Sequence, residues 1–104
     1  MPTAVWAPKA ETVLEDILYY IRVEGDRPLV AQRIGEEIFA AAEHRASMPN
    51  AGSRYFATPP EWRYFRHKHW LIFFQPHPLG IEIMRVIDGS RDLPRALAEH
   101  AAPE

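Results

Sequence analysis

From residue 10 onward, apolar side chains recur at Ala10, Val13, Leu14, Ile17, Leu18 and Ile21, the three-and-four spacing that lines one face of a helix. Glu11, Glu15, Asp16 and Arg22 fall off that stripe, toward water. Pro8 suits the first turn, where a missing N–H leaves no hydrogen bond unmade. A second stripe of Val30, Ile34, Ile38 and Ala41, flanked by Ala31, Phe39 and Ala42, predicts a helix from about Pro28 to Arg45. Between the two, Gly25 is expected at the left-handed position that closes the first helix. Asp26 is expected to cap the second, with Pro28 in its first turn. So short a connection makes the pair an antiparallel hairpin. Gly35 costs its helix about 1 kcal/mol against Ala, and its small size is read as close approach to the first helix.

Elsewhere the pattern is that of strands. Thr3 to Ala7 reads as a short first strand, and Trp62 to His67 as a second with aromatic residues on both faces. His69 to Gln75 is nearly continuous apolar sequence, as expected of a central strand covered on both sides. Pro76-His77-Pro78-Leu79-Gly80 reads as a hairpin turn, its prolines unable to donate to a ladder. The last strand runs from Ile81 to Asp88, with Ile81, Ile83, Arg85 and Ile87 expected on one face and Glu82, Met84 and Val86 on the other. Leu93 to His100 is read as a short helix. Met48 to Glu61 carries the Pro, Gly and Asn punctuation of a surface loop, and its length makes it a candidate functional loop.

The order β-α-α-β-β-β with a final helix predicts an α+β fold, an antiparallel helical hairpin packed on one face of a small, mostly antiparallel sheet. Such a sheet leaves its other face short of cover. Trp70, Phe73, Phe74, Met84 and Val86 cannot all point at two helices. An apolar sheet surface open in the lone chain would mark a partner site, and that reading is preferred to a C-terminal tail folded over it.

A chain of 104 residues suffices for one domain, 1–104, with one modest core. With no cysteine, disulfides, thiolate catalysis and Cys-type zinc sites are all removed, which suits a reducing cytoplasm. No apolar run approaches the ~20 residues of a membrane helix, and the N-terminus does not read as a signal peptide. A net charge of −2 argues against bulk electrostatic attachment to nucleic acid; only a local basic patch would serve. Arg63, Arg66, Lys68, Arg85, Arg91 and Arg95 supply the charge for one.

His67 and His69 stand two apart, on one face if the strand continues through them. Two ligands make no metal site, and spacing offers no third, so no metal and no cofactor are expected. An imidazole titrates near neutral pH, which keeps both as candidate general bases. Arg85 sits mid-strand, where an unpaired charge would be expensive to bury. It is read either as half of an ion pair with Asp88, Asp92 or a helix carboxylate, or as a cation displayed for a phosphate or a partner's carboxylate. No Ser-His-Asp arrangement, phosphate loop or carboxylate pair stands out.

Four segments together resemble the RelE/ParE toxin superfamily, over about Trp6 to Leu97 and closer to the ParE branch. Leu14-Glu15-Asp16-Ile17-Leu18-Tyr19-Tyr20-Ile21 is similar to its first-helix pattern, and Met48-Pro49-Asn50-Ala51-Gly52 to its loop after the second helix. Trp70-Leu71-Ile72-Phe73-Phe74 resembles its aromatic third strand. Glu82 to Leu93, ending Gly89-Ser90-Arg91-Asp92-Leu93, resembles its last strand and the turn beyond. His67-Lys68-His69 stands where the family carries a small, Gly-containing turn.

The resemblance implies the toxin of a type II toxin–antitoxin module, neutralised by a cognate antitoxin that wraps its surface. ParE toxins are associated with poisoning DNA gyrase, RelE toxins with cleaving mRNA on the ribosome. The ParE-like reading gives partner-binding roles to Arg85, Arg91, Trp70, Phe74 and Met84, and nucleic acid enters only through the antitoxin complex. The nuclease alternative would use Arg63, His67, His69 and Arg91. Leu71 stands where that nuclease would carry Arg, and no Tyr follows Tyr64 to serve as its terminal Tyr. A third reading is an inactive relative that only binds antitoxin.

Overall fold

A computed structural model of the chain describes residues 1–90 and 92–100. Its elements run β1 (Thr3–Trp6), α1 (Pro8–Tyr19), a π-helical turn (Tyr20–Glu24), α2 (Pro28–Arg45), β2 (Arg63–His67), β3 (Trp70–His77), β4 (Gly80–Asp88) and α3 (Leu93–His100). The sheet order is β1-β4-β3-β2, with β1 parallel to β4 and the other pairs antiparallel. The α+β architecture is thus the expected one, a helical hairpin on a small mixed sheet.

The two stripes explain the hairpin's seat. Ala10 and Leu14 from α1 and Ile34, Ile38 and Ala42 from α2 join Phe65, Ile72, Phe74, Ile81, Ile83 and Val86 in one buried cluster. Gly35 lets the helices close: a Cβ there would stand 3.2 Å from Leu18 Cδ1. The first strand is tied at both ends, Thr3 N–H donating to Leu79 O (2.7 Å) and Ala7 N–H to Ile83 O (2.9 Å). Gly80 makes that approach feasible. Its φ is +145°, and a Cβ would collide with the Thr3 backbone. On the outer side of β1, the Glu43 carboxylate accepts from Thr3 Oγ1 (2.9 Å) and Ala4 N–H (3.3 Å), which blunts the open edge.

Four expectations need correction. The first concerns β4, where strict alternation fails. Phe73 pairs with Arg85 but Phe74 pairs with Ile83, so Met84 is the extra residue of a β-bulge. Ile81, Ile83 and Val86 therefore face the hairpin, while Arg85 and Ile87 face the other side with Phe73 and Leu71. The second concerns that other side, which is covered. Leu71, Phe73, Ile87 and Leu97 form a second buried cluster, with Tyr55, Trp62, Tyr64 and Leu93 packed around it. The C-terminal helix and the long loop supply the cover that two helices could not, so the expected open sheet face is absent among the described residues.

The third correction is at the β3–β4 hairpin, which is tighter than read. Pro76 and His77 belong to β3 and pair with Ile81 and Gly80. β2 pairs β3 only as far as Phe74, so one edge of β3 is open at Pro76, where a missing N–H is tolerated. The fourth is at the helical hairpin. Gly25 has φ −86° and ψ −6°, and the left-handed residue is Asp26 at φ 51°. The cause is the π turn, in which Gly25 N–H bonds to Tyr20 O at 2.9 Å, five residues back. That extra residue shifts the helix end by one. Asp26 consequently caps nothing; α2 begins after Arg27 with no side-chain cap.

Lys68 carries a similar conformation, φ 53°, in the two-residue connection between β2 and β3. A side chain costs about 1–2 kcal/mol there, partly offset by glycine's larger loss of freedom on folding. Lys68→Gly is expected to stabilise the fold by up to about 1 kcal/mol, read as a higher urea midpoint at unchanged m-value.

Candidate functional site

Around the tip of the hairpin, in the π turn and the first turn of α2, apolar side chains stand exposed. Tyr20 is 66% exposed, Val23 49% and Leu29 74%. Tyr20 borders a groove of about 740 Å³ between the hairpin and the β2–β3 turn. Ile17, Ile21, Val30 and Ile34 line its helical side, and Trp70, itself almost wholly buried, lines its sheet side. The His69 ring lies against Trp70, centroids 4.0 Å apart. Charge is confined to Asp16, Arg27, Lys68 and Asp88 among the lining residues. An apolar trough with a few charges is built to take apolar side chains of a partner and fix their register.

Residues 4–93 match the family model described as the ParE toxin of type II toxin-antitoxin system, parDE. The chain belongs to the ParE toxin family. A search of the curated proteins gave no match. Membership makes the protein the toxin of a type II toxin–antitoxin system and implies an antitoxin as partner. No helix among the described residues is long and apolar enough to cross a membrane.

The residues singled out in this ParE-family toxin are dispersed over the fold. Trp70 and His69 line the groove. Phe74 has no exposed surface and belongs wholly to the core beneath the hairpin. Met84 is the half-buried bulge residue. Arg85 lies on the opposite face of the sheet, its guanidinium carbon 5.6 Å from the Trp62 ring centroid and its Nη1 donating to Met84 O at 2.6 Å. Arg91 lies outside the described residues.

The nuclease candidates are likewise held by different neighbours. Arg63 and His67 pair with Phe74 and Trp70, which puts them on the hairpin side of β2. His67 Nε2 is 2.9 Å from Glu37 Oε1 on α2, while His69 stacks on Trp70 in the turn. No group of three or more His, Asp or Glu side chains that could hold a metal ion occurs among the described residues.

Sequence reasoning missed the hairpin tip. The signal was present in Tyr20, Val23 and Leu29, apolar residues that fall off both helical stripes and therefore had no core to enter.

Proposed function

We propose that residues 1–104 form one toxin domain that acts in the cytoplasm by binding a protein, DNA gyrase, and that the antitoxin neutralises it by docking in the hairpin groove. The observation that carries this reading is the way the imidazoles and guanidiniums are engaged. His67 is tied to Glu37 on the hairpin side, His69 lies on Trp70, and Arg85 is on the far face of the sheet with Trp62. An mRNA interferase needs an acid, a base and cations within hydrogen-bond reach of one phosphodiester. Of those candidates, His67 and His69 are held by separate neighbours, Glu37 and Trp70. The match to the ParE family supports the same choice. The apolar groove suits a helix or extended segment of an antitoxin, which would bury Tyr20 and Val30 on binding.

Controlled expression in a bacterium tests it, with DNA and protein synthesis followed by pulse labelling in the first minutes. DNA synthesis is expected to fail first. Protein synthesis failing first, with cleaved mRNA on ribosomes, would overturn gyrase as the target and turn attention to Arg63, His67, His69 and Arg91.

A further inference from the structure

We propose that the loop between α2 and β2 carries a second docking site, centred on Phe56, which engages the toxin's target while the hairpin groove engages the antitoxin. The assignment rests on the reading of the protein as a toxin that acts by binding another protein. Its partner surface is an apolar pocket edged by carboxylates.

The loop is longer than its ends require, yet it is fastened along its length. Ser53 and Tyr64 exchange two backbone hydrogen bonds, of 3.1 and 2.9 Å. Thr58 Oγ1 donates to Tyr55 O at 2.8 Å, and Trp62 N–H to Pro59 O at 3.0 Å. The Trp62 indole N–H donates to Gln75 Oε1 at 3.1 Å. Tyr55 is the anchor, its ring edge-on to the buried Phe73 at 6.5 Å. With Tyr55 turned inward, the next side chain is turned out. Phe56 is 87% exposed, against 74% for Leu29 and 66% for Tyr20.

A single exposed apolar residue is ordinary. What distinguishes Phe56 is its setting. Beside it lies a hollow of about 410 Å³, lined by Arg54, Tyr55, Thr58, Pro59 and Pro60 as well as by Phe56 itself. A knob next to a hollow, on a loop already ordered by hydrogen bonds and two prolines, loses little freedom on binding and so anchors well. Arg54 is the one ionisable cation of the hollow, which selects an acidic rim on the partner.

The choice of target over antitoxin comes from the sheet. Tyr55 packs on Phe73, in the cluster on the face away from the hairpin, whereas the groove is built on the hairpin side. A partner seated in the groove leaves Phe56 uncovered. Phe56 is thereby assigned to the other partner, the target.

The test compares wild-type toxin with Phe56→Ala and Arg54→Glu in three readouts: thermal midpoint, affinity for the cognate antitoxin, and the expression level that arrests growth. Phe56→Ala is expected to melt within about 2 °C of wild type, as surface changes do, and to bind antitoxin within about twofold. It should need about 30-fold more expression for the same arrest, the effect of losing a hot spot, with Arg54→Glu weaker in the same direction. Growth arrest by Phe56→Ala at the wild-type expression level overturns the loop's role and leaves the toxin reading standing. So does a fall in antitoxin affinity in step with toxicity, which would hand the loop to the antitoxin. Wild-type chain that arrests no growth overturns the functional reading itself, and this assignment with it.

Discussion

Phe74→Ala is expected to cost about 3–5 kcal/mol, the range for truncating an aromatic residue in a core that cannot collapse. Against a total stability of roughly 5–15 kcal/mol for a domain, that brings the chain close to unfolding. The magnitude follows from where Phe74 sits. It has no exposed surface, it pairs in register with Ile83, and its ring lies 6.0 Å from that of Phe65. Above it are the buried stripes of two helices, joined to each other and to β1 by short connections. Phe73 is equally buried, and its cover is different in kind. Tyr55, Trp62 and Tyr64 stand around it at ring distances of 6.5, 6.3 and 5.2 Å, and Leu97 of α3 shares its cluster. A loop and a terminal helix can close on a cavity more readily than a seated hairpin can, so Phe73→Ala is expected at about 3 kcal/mol, the low end. Urea unfolding of both variants reads the difference as two midpoints. Phe73→Ala costing more than Phe74→Ala would mean that the second layer is the stiffer one. Because Tyr55 rests on Phe73, that variant should also loosen the loop and lower toxicity beyond its effect on stability.

Much of this was legible in the sequence, for reasons that also explain the rest. The helices were readable because burial of one face leaves a period that survives in the residue types, as from Ala10 to Ile21 and from Ile34 to Ala42. The strands were readable through their apolar runs, although Pro76, read as part of the turn, belongs to β3. What failed was whatever depends on one residue of register. No residue type marks Met84 as a bulge, yet the bulge moves Arg85 and Ile87 to the other side of the sheet, since strand side chains alternate with period two. Nothing in Tyr20–Glu24 announces a π turn, yet it shifts the left-handed residue from Gly25 to Asp26. The cover of the second face was weighed only as a C-terminal tail, and set aside for an open face. Leu93, Leu97, Tyr55 and Trp62 are far apart in the chain and form a surface only once folded. The groove is hidden likewise, since it is a space between the hairpin tip and the Lys68–His69 turn, and periodicity carries no information about distance between elements. Trp70 and His69 entered the candidate lists as a sheet-face aromatic and an acid–base residue; the fold makes them two sides of one wall.

The groove can be tested without disturbing the fold, and Val30→Asp is the substitution that separates the two. Val30 is the third residue of α2 and 36% exposed. The first turn of α2 carries no acidic residue and no side-chain cap. A carboxylate there meets unpaired backbone N–H groups and the positive end of the helix dipole, worth about 0.3–1 kcal/mol. That gain opposes the loss of a partly exposed valine's contacts, so the thermal midpoint is expected to move by no more than about 4 °C. For a partner in the groove the same change is severe. Val30 lines it beside Ile17, Ile34 and Trp70, and a carboxylate buried among those apolar side chains by a partner loses its hydration. Antitoxin affinity is expected to fall about 100-fold, ~2.8 kcal/mol at 1.4 kcal/mol per tenfold, mainly through faster dissociation. Val30→Ala serves as the size control and should lose about tenfold or less. Titration calorimetry against the cognate antitoxin reads both. If Val30→Asp binds as wild type does, the antitoxin does not use the groove, whatever the toxin's target. If it fails to bind and still arrests growth, the neutralising and poisoning surfaces are separate, as proposed for the groove and the Phe56 loop.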